Sequence, residues 1–306
     1  MKTSLWITVL VICLSASVLL QRWIDAQRGA GSAVEEALYL KSGKTLKQAS
    51  LGFEGILADL YWLRTIQYFG GKSQQLTGEI KISNVGDWKL ELLEPLINIT
   101  TELDPHYLSA YRFGSLFLPD INVEGAIKLG QRAIKDNPDD WRVYQDLGFI
   151  FWRQKRYQEA SEIYSQGSRL AGAPKWMEQM SAIMLANGGD RETARQMFAR
   201  IYETTDDPTI KKTSLNRLLG FKAGDEISFL TKLLADYSAQ KGSCPHSLSL
   251  LMRAMPPSAI QKLQQAGMSF DESRTPLDPH GFAYSFKAAT CTISLAPDST
   301  IAPWKN

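Results

Sequence analysis

Two thiol and imidazole pairs are the side chains best placed to do chemistry: Cys244-x-His246, and His280 followed further on by Cys291. Together they supply two thiolates and two imidazoles, a set that suits tetrahedral zinc and would make the C-terminal part a metal-dependent enzyme or ligand-binding module. The gap between His246 and His280 is too long for any compact zinc motif. The same Cys244 and Cys291 could form a disulfide, which an exported location would permit, or remain two buried thiols. The disulfide is the reading adopted here, with zinc on Cys244, His246, His280 and Cys291 as the alternative.

Other chemistry is sparse. Ser42-Gly43-Lys44-Thr45 imitates the end of a phosphate-binding loop, but the position that needs the first glycine holds Leu38, so the cradle of amides is missing. The three histidines, His106, His246 and His280, each follow or adjoin a proline in a predicted turn. No nucleophile elbow, paired-histidine metalloprotease motif or glycine-rich dinucleotide loop occurs. Asn98-Ile99-Thr100 has the form of a glycosylation acceptor but falls inside a predicted helix. The expectation is a non-enzymatic chain with no cofactor.

The elements that must position these residues follow from composition and pattern. With 306 residues, 44% of them hydrophobic and 22% charged, the chain has the makeup of a folded protein with room for two modest domains. A net charge of only +2 gives no footprint for gripping a phosphate backbone, so nucleic acid is not expected as a partner. Ser4 to Leu20 is free of charge and as a helix would span roughly 25 Å, just enough for a bilayer core if Trp6, Gln21 and Trp23 extend it. Ser15-Ala16-Ser17 would suit a cleavable signal peptide, but the apolar run continues through Val18, Leu19 and Leu20, which favours an uncleaved anchor over residues 1–24. Ile12 before Cys13 rules out lipoprotein processing. The expectation is a single-pass membrane protein with its body on the extracytoplasmic, periplasmic side.

Residues 107–208 repeat every 34 positions. Phe113-Gly114, Leu147-Gly148 and Ser181-Ala182 fall in the same phase, with Phe117, Phe151 and Leu185 three residues after the small one. Later come Ala126, Ala160 and Ala194, each followed four residues on by Gly130, Tyr164 and Phe198, and units close near Pro138, Pro174 and Pro208. Antiparallel helices pack tightly only where one carries a small side chain, and proline ends a helix and begins the turn to the next. The pattern resembles the tetratricopeptide-repeat (TPR) family, best in Tyr144-x2-Leu147-Gly148-x2-Phe151 with Ala160-x3-Tyr164, and as a whole resembles bacterial envelope TPR proteins with an N-terminal anchor.

The resemblance implies a mainly α fold: a TPR-type helical-hairpin solenoid after an N-terminal transmembrane helix. The array would cover 103–222 with a capping helix near Ile210 to Leu219, preceded over 45–102 by a divergent helical pair. The first helix of that pair places Ile56, Leu60, Leu63 and Ile66 on one face. From Asp225 the phase is lost, and 225–306 reads as a small α+β module. In it a helix over Glu226 to Gln240 precedes an Asp278-Pro279-x-Gly281 turn, an aromatic strand ending at Phe286 and a partner strand at Thr290 to Leu295. That stretch resembles the C-terminal part of bacterial pseudopilins.

In TPR arrays the first helix of each unit lines a concave face. By that resemblance Tyr111, Arg142, Gln145, Phe149, Trp152, Arg153 and Gln179 form a partner-binding groove, with Phe149 and Trp152 supplying buried area and the arginines pairing with carboxylates. Packing of the two rings on a neighbouring helix is the alternative. Tyr111 and Ser115 stand where the carboxylate-clamp subtype has Lys and Asn, which argues against a chaperone-tail ligand. The functional expectation is a membrane-tethered scaffold for other envelope proteins or peptides, with secretion, pilus or surface-polymer assembly as the candidate settings.

Overall fold

The computed structural model describes residues 14–20, 22–23, 42–74 and 82–301. The chain is mainly helical and divides into two compact units, Met1–Asn122 and Val123–Asn306. The helical pair expected over 45–102 lies in the first unit, and the array expected over 103–222 runs across the division.

Most of the apolar run from Ser4 lies outside the described residues; its described part, 14–20, is helical and exposed. Among the described residues no helix is long and apolar enough to cross a membrane. The two longest, Glu54–Gln74 and Pro208–Lys241, carry charges along their length. The expectation of a single-pass membrane protein with an extracytoplasmic body is corrected by that finding.

In the first unit α1 (Gly43–Ala49) and α2 (Glu54–Gln74) both pack on α3 (Leu93–Leu103), which is followed by α4 (Leu108–Phe117). Ser42 caps α1 by accepting from the Thr45 amide, and the Lys44 amide donates to Glu102 at 3.2 Å. The segment that imitates a phosphate loop therefore has its amides engaged by protein. Helix α2 turns Ala58 and Thr65, both fully buried, toward the core. Ile56, Leu60, Leu63 and Ile66 share a face as the periodicity predicts, but that face is outward and 39–58% exposed. The small pair lets α2 approach closely, and this close contact selects the face that is buried. Asn98-Ile99-Thr100 lies in α3 with Ile99 and Thr100 buried, so it is no surface acceptor.

The second unit continues with α5 (Val123–Asp136), α6 (Trp141–Arg153), α7 (Tyr157–Ser168), α8 (Trp176–Asn187), α9 (Arg191–Thr204) and α10 (Pro208–Lys241). Each packs on the next. Asp140, Asp190 and Asp207 start α6, α9 and α10 by accepting from amides of the first turn, which satisfies donors the helix leaves unpaired. Ala126, Ala160 and Ala194 are each 0% exposed, and Leu147, Tyr164 and Phe198 are buried as well. A Cβ added at Gly148 would lie 2.9 Å from the Tyr164 ring, and one added at Gly130 would lie 2.9 Å from Leu147.

Helix α10 runs unbroken through 208–241, where a capping helix and a separate module helix were expected. Gly220 and Gly224 keep helical geometry: Gly220 is buried, and at Gly224 a Cβ would come within 2.8 Å of the Arg191 guanidinium. No proline follows Pro208 before the helix ends at Gly242, which adopts a left-handed φ of 71°. One half of α10 brings Phe221 into a core with Ala194, Phe198 and Ile201; the other brings Leu230 and Leu234 into a second core with Leu248, Leu251, Met252, Ile260 and Tyr284.

Beyond α10 lie α11 (Leu248–Arg253), α12 (Pro257–Gln265) and four short strands, β1 (Ser269–Phe270), β2 (Pro276–Leu277), β3 (Ser285–Lys287) and β4 (Thr292–Ser294). The strand pairs are β1 with β2 and β3 with β4, both antiparallel. The strand expected after the Asp278 turn is short: Ser285 to Lys287 pair with β4, while Pro276, ahead of the turn, pairs back to Phe270. Asp278 holds the turn, because its buried carboxylate accepts from the His280 and Phe282 amides and the Ser299 hydroxyl.

Gly148→Ala is expected to lower stability by about 1–3 kcal/mol through overpacking against Tyr164, although in an open helix the same change would gain about 1 kcal/mol. Urea denaturation of the two chains measures the sign.

Candidate functional site

Helix α6 is amphipathic in a way that leaves a face available. Val143, Tyr144, Leu147, Gly148, Ile150 and Phe151 are buried against its neighbours. The steps from Arg142 to Gln145, Phe149 and Trp152 are three and four residues, so these side chains share the opposite side. Gln145 and Phe149 are half-buried, Arg142 and Arg153 are exposed, and Trp152 is 41% exposed.

The rings and cations on this face are organised. Phe149 and Trp152 sit with centroids 5.5 Å apart, tilted by 47°. The Arg153 guanidinium lies over the Phe149 ring at 5.9 Å. Arg142 lies over Trp141 at 4.9 Å and pairs with Asp140 at 3.3 Å. Trp141 also meets Trp176, the first residue of α8, edge to face at 6.3 Å. Such rings offer apolar area at little entropic cost, and the guanidiniums add donors that suit carboxylates.

Two residues of the expected groove are withdrawn from it. Tyr111, in α4, is 1% exposed. Gln179 is buried and donates to the Ser214 hydroxyl at 3.0 Å and the Ile210 carbonyl at 3.2 Å, because the first turns of α10 cover it. Neither is a groove residue. Arg142, Gln145, Phe149, Trp152 and Arg153 are brought together. Trp141 and Trp176, which sequence reasoning passed over, join the face; the signal for them was a tryptophan opening each of two helices, 35 residues apart and so one residue off the period. Burial raises the hydroxyls of Tyr144 and Tyr164, the latter to about 12, which keeps both protonated near neutrality.

In the C-terminal part Cys244 and Cys291 are joined by a disulfide with Cα atoms 5.8 Å apart. Bonded to each other, the sulfurs are not thiolates, and the alternative zinc set with His246 and His280 is not formed. His246 and His280 are exposed, and the His280 ring meets the Thr300 hydroxyl. Among the described residues no cluster of His, Cys, Asp and Glu could hold a metal ion. His106 is exposed in a turn closed by its amide on Asp104.

A buried node here escaped sequence reasoning because its members are far apart. The Tyr284 hydroxyl donates to Glu226 at 2.6 Å, and Lys222 donates to the Gly267 carbonyl at 2.8 Å while standing 3.9 Å from Glu226. Burial raises the Glu226 carboxyl above its ordinary 4.5, with the Tyr284 hydrogen bond and Lys222 opposing. Burial and the adjacent carboxylate also raise Tyr284, which stays neutral.

No protein-family model matches the chain, and no curated protein matches it.

A raised carboxyl stabilises the fold fully below its unfolded pKa, and that stability is lost as pH rises through the folded value. Glu226→Gln is permanently neutral and keeps an oxygen for Tyr284, so it is expected to exceed wild type in stability near neutrality, with the advantage vanishing toward pH 4.5. Thermal unfolding across that range tests the sign. Reduction of the disulfide, whose cysteines are 47 residues apart, is expected to cost about 3–4 kcal/mol. Hydrogen exchange should then accelerate over 244–301 and hold steady in α6 to α9.

Proposed function

We propose that this chain is a helical-repeat protein of TPR type whose work is non-enzymatic: it holds another protein or a peptide against the outward face of α6. The observation that carries the reading is the division of labour on that helix. Residues in phase with the 34-residue period face inward and are buried, while Phe149, Trp152 and Arg153, which contribute nothing to the period, form an ordered patch on the other side. Support for the repeat class comes from Ala126, Ala160 and Ala194, equally spaced and equally buried. A partner with an apolar anchor and nearby carboxylates matches rings flanked by guanidiniums.

Photo-crosslinking from position 145, on the same face of α6, tests this in the full chain. A discrete partner should be captured there and not from Gln196, which is exposed on α9. Trp152→Ala with Arg153→Ala should weaken capture at least tenfold while circular dichroism holds. Capture from both positions alike, or unchanged capture by the double variant, would remove the assignment.

A further inference from the structure

The outward stripe of α2 lies apart from the face proposed above and has its own geometry. Phe53, Ile56, Leu60, Leu63 and Ile66 are 62, 58, 55, 53 and 39% exposed, and Leu51 beside them is 88% exposed. Positions 53, 56, 60 and 63 advance by three and four residues, the narrow seam that one partner helix fills, in contrast to the broader stripe that a helix turns to a globular core. At those exposures the six side chains leave on the order of 700 Å² of apolar surface, more than a typical monomer shows in one patch.

The glycines of α2 point the same way. A Cβ added at Gly55, Gly70 or Gly71 would meet nothing within 4 Å, so no contact among the described residues requires glycine there, although each such residue costs about 1 kcal/mol relative to alanine. Their missing side chains leave the helix low enough for a second backbone to approach.

We infer that the occupant is a second copy of α2, packed about a two-fold axis near Leu60. An isologous pairing buries up to roughly 1,400 Å² in total, within the range of stable specific interfaces. The four charged side chains of α2 stay clear of the seam: Glu54 and Lys72 lie on the opposite side of the helix and Asp59 and Arg64 on its two flanks.

Sedimentation equilibrium of the full chain at micromolar concentration should give twice the mass of one chain. Leu60→Lys with Leu63→Lys should return it to one mass, with unchanged circular dichroism because both residues are exposed. In a Cys13→Ser background Leu60→Cys should form a covalent dimer on mild oxidation at least tenfold faster than Gln196→Cys, which is exposed but lies on α9. A monomeric wild-type chain overturns the proposal, whether its stripe is then covered by its own N-terminal residues or by a different protein. So does a dimer that survives the double lysine variant, and so does equal crosslinking at 60 and 196.

Discussion

Helices in the Val123–Asn306 unit approach one another only as closely as their smallest side chains permit, and the rest of that unit depends on this. Three glycines, Gly130, Gly148 and Gly167, sit where any larger residue would run into Leu147, Tyr164 or Tyr144. The large residues pressed into them are then locked by contact on several sides, the condition under which a core has one arrangement. With the inner face of α6 so determined, its outer face is determined too. Phe149 and Trp152 have their positions because Gly148 and Phe151 have theirs.

The same logic operates in the first unit through Ala58 and Thr65, but with a different result. Small residues bring α2 onto α3, and the larger apolar residues of α2 are left outside. Bulk hydrophobicity alone would bury the leucines; close backbone approach buries the alanine. An extensive apolar surface thus remains on a helix whose inward side is already satisfied.

Much of this was legible in the sequence where the signal was periodic. Ala126, Ala160 and Ala194 announce a repeated contact by spacing alone, and the outward set on α6 follows from helical geometry. Direction was less legible: periodicity shows that α2 has an apolar face, but not that Ala58 and Thr65 compete for the core and win. The loss of the 34-residue phase at Asp225 reads as a module boundary although α10 runs through it, with Gly224 leaving room for the Arg191 guanidinium. Gln179 reads as a groove residue because nothing local reveals that α10 returns over it. Tyr284 and Glu226 meet only through the fold.

Helix α10 belongs to two cores at once, with Phe221 in one and Leu230 and Leu234 in the other. A rod shared in this way fixes the bearing of one core on the other: the seat of Phe221 against Phe198 sets the direction in which Leu230 and Leu234 are presented to the disulfide-closed end. No proline interrupts α10 between them.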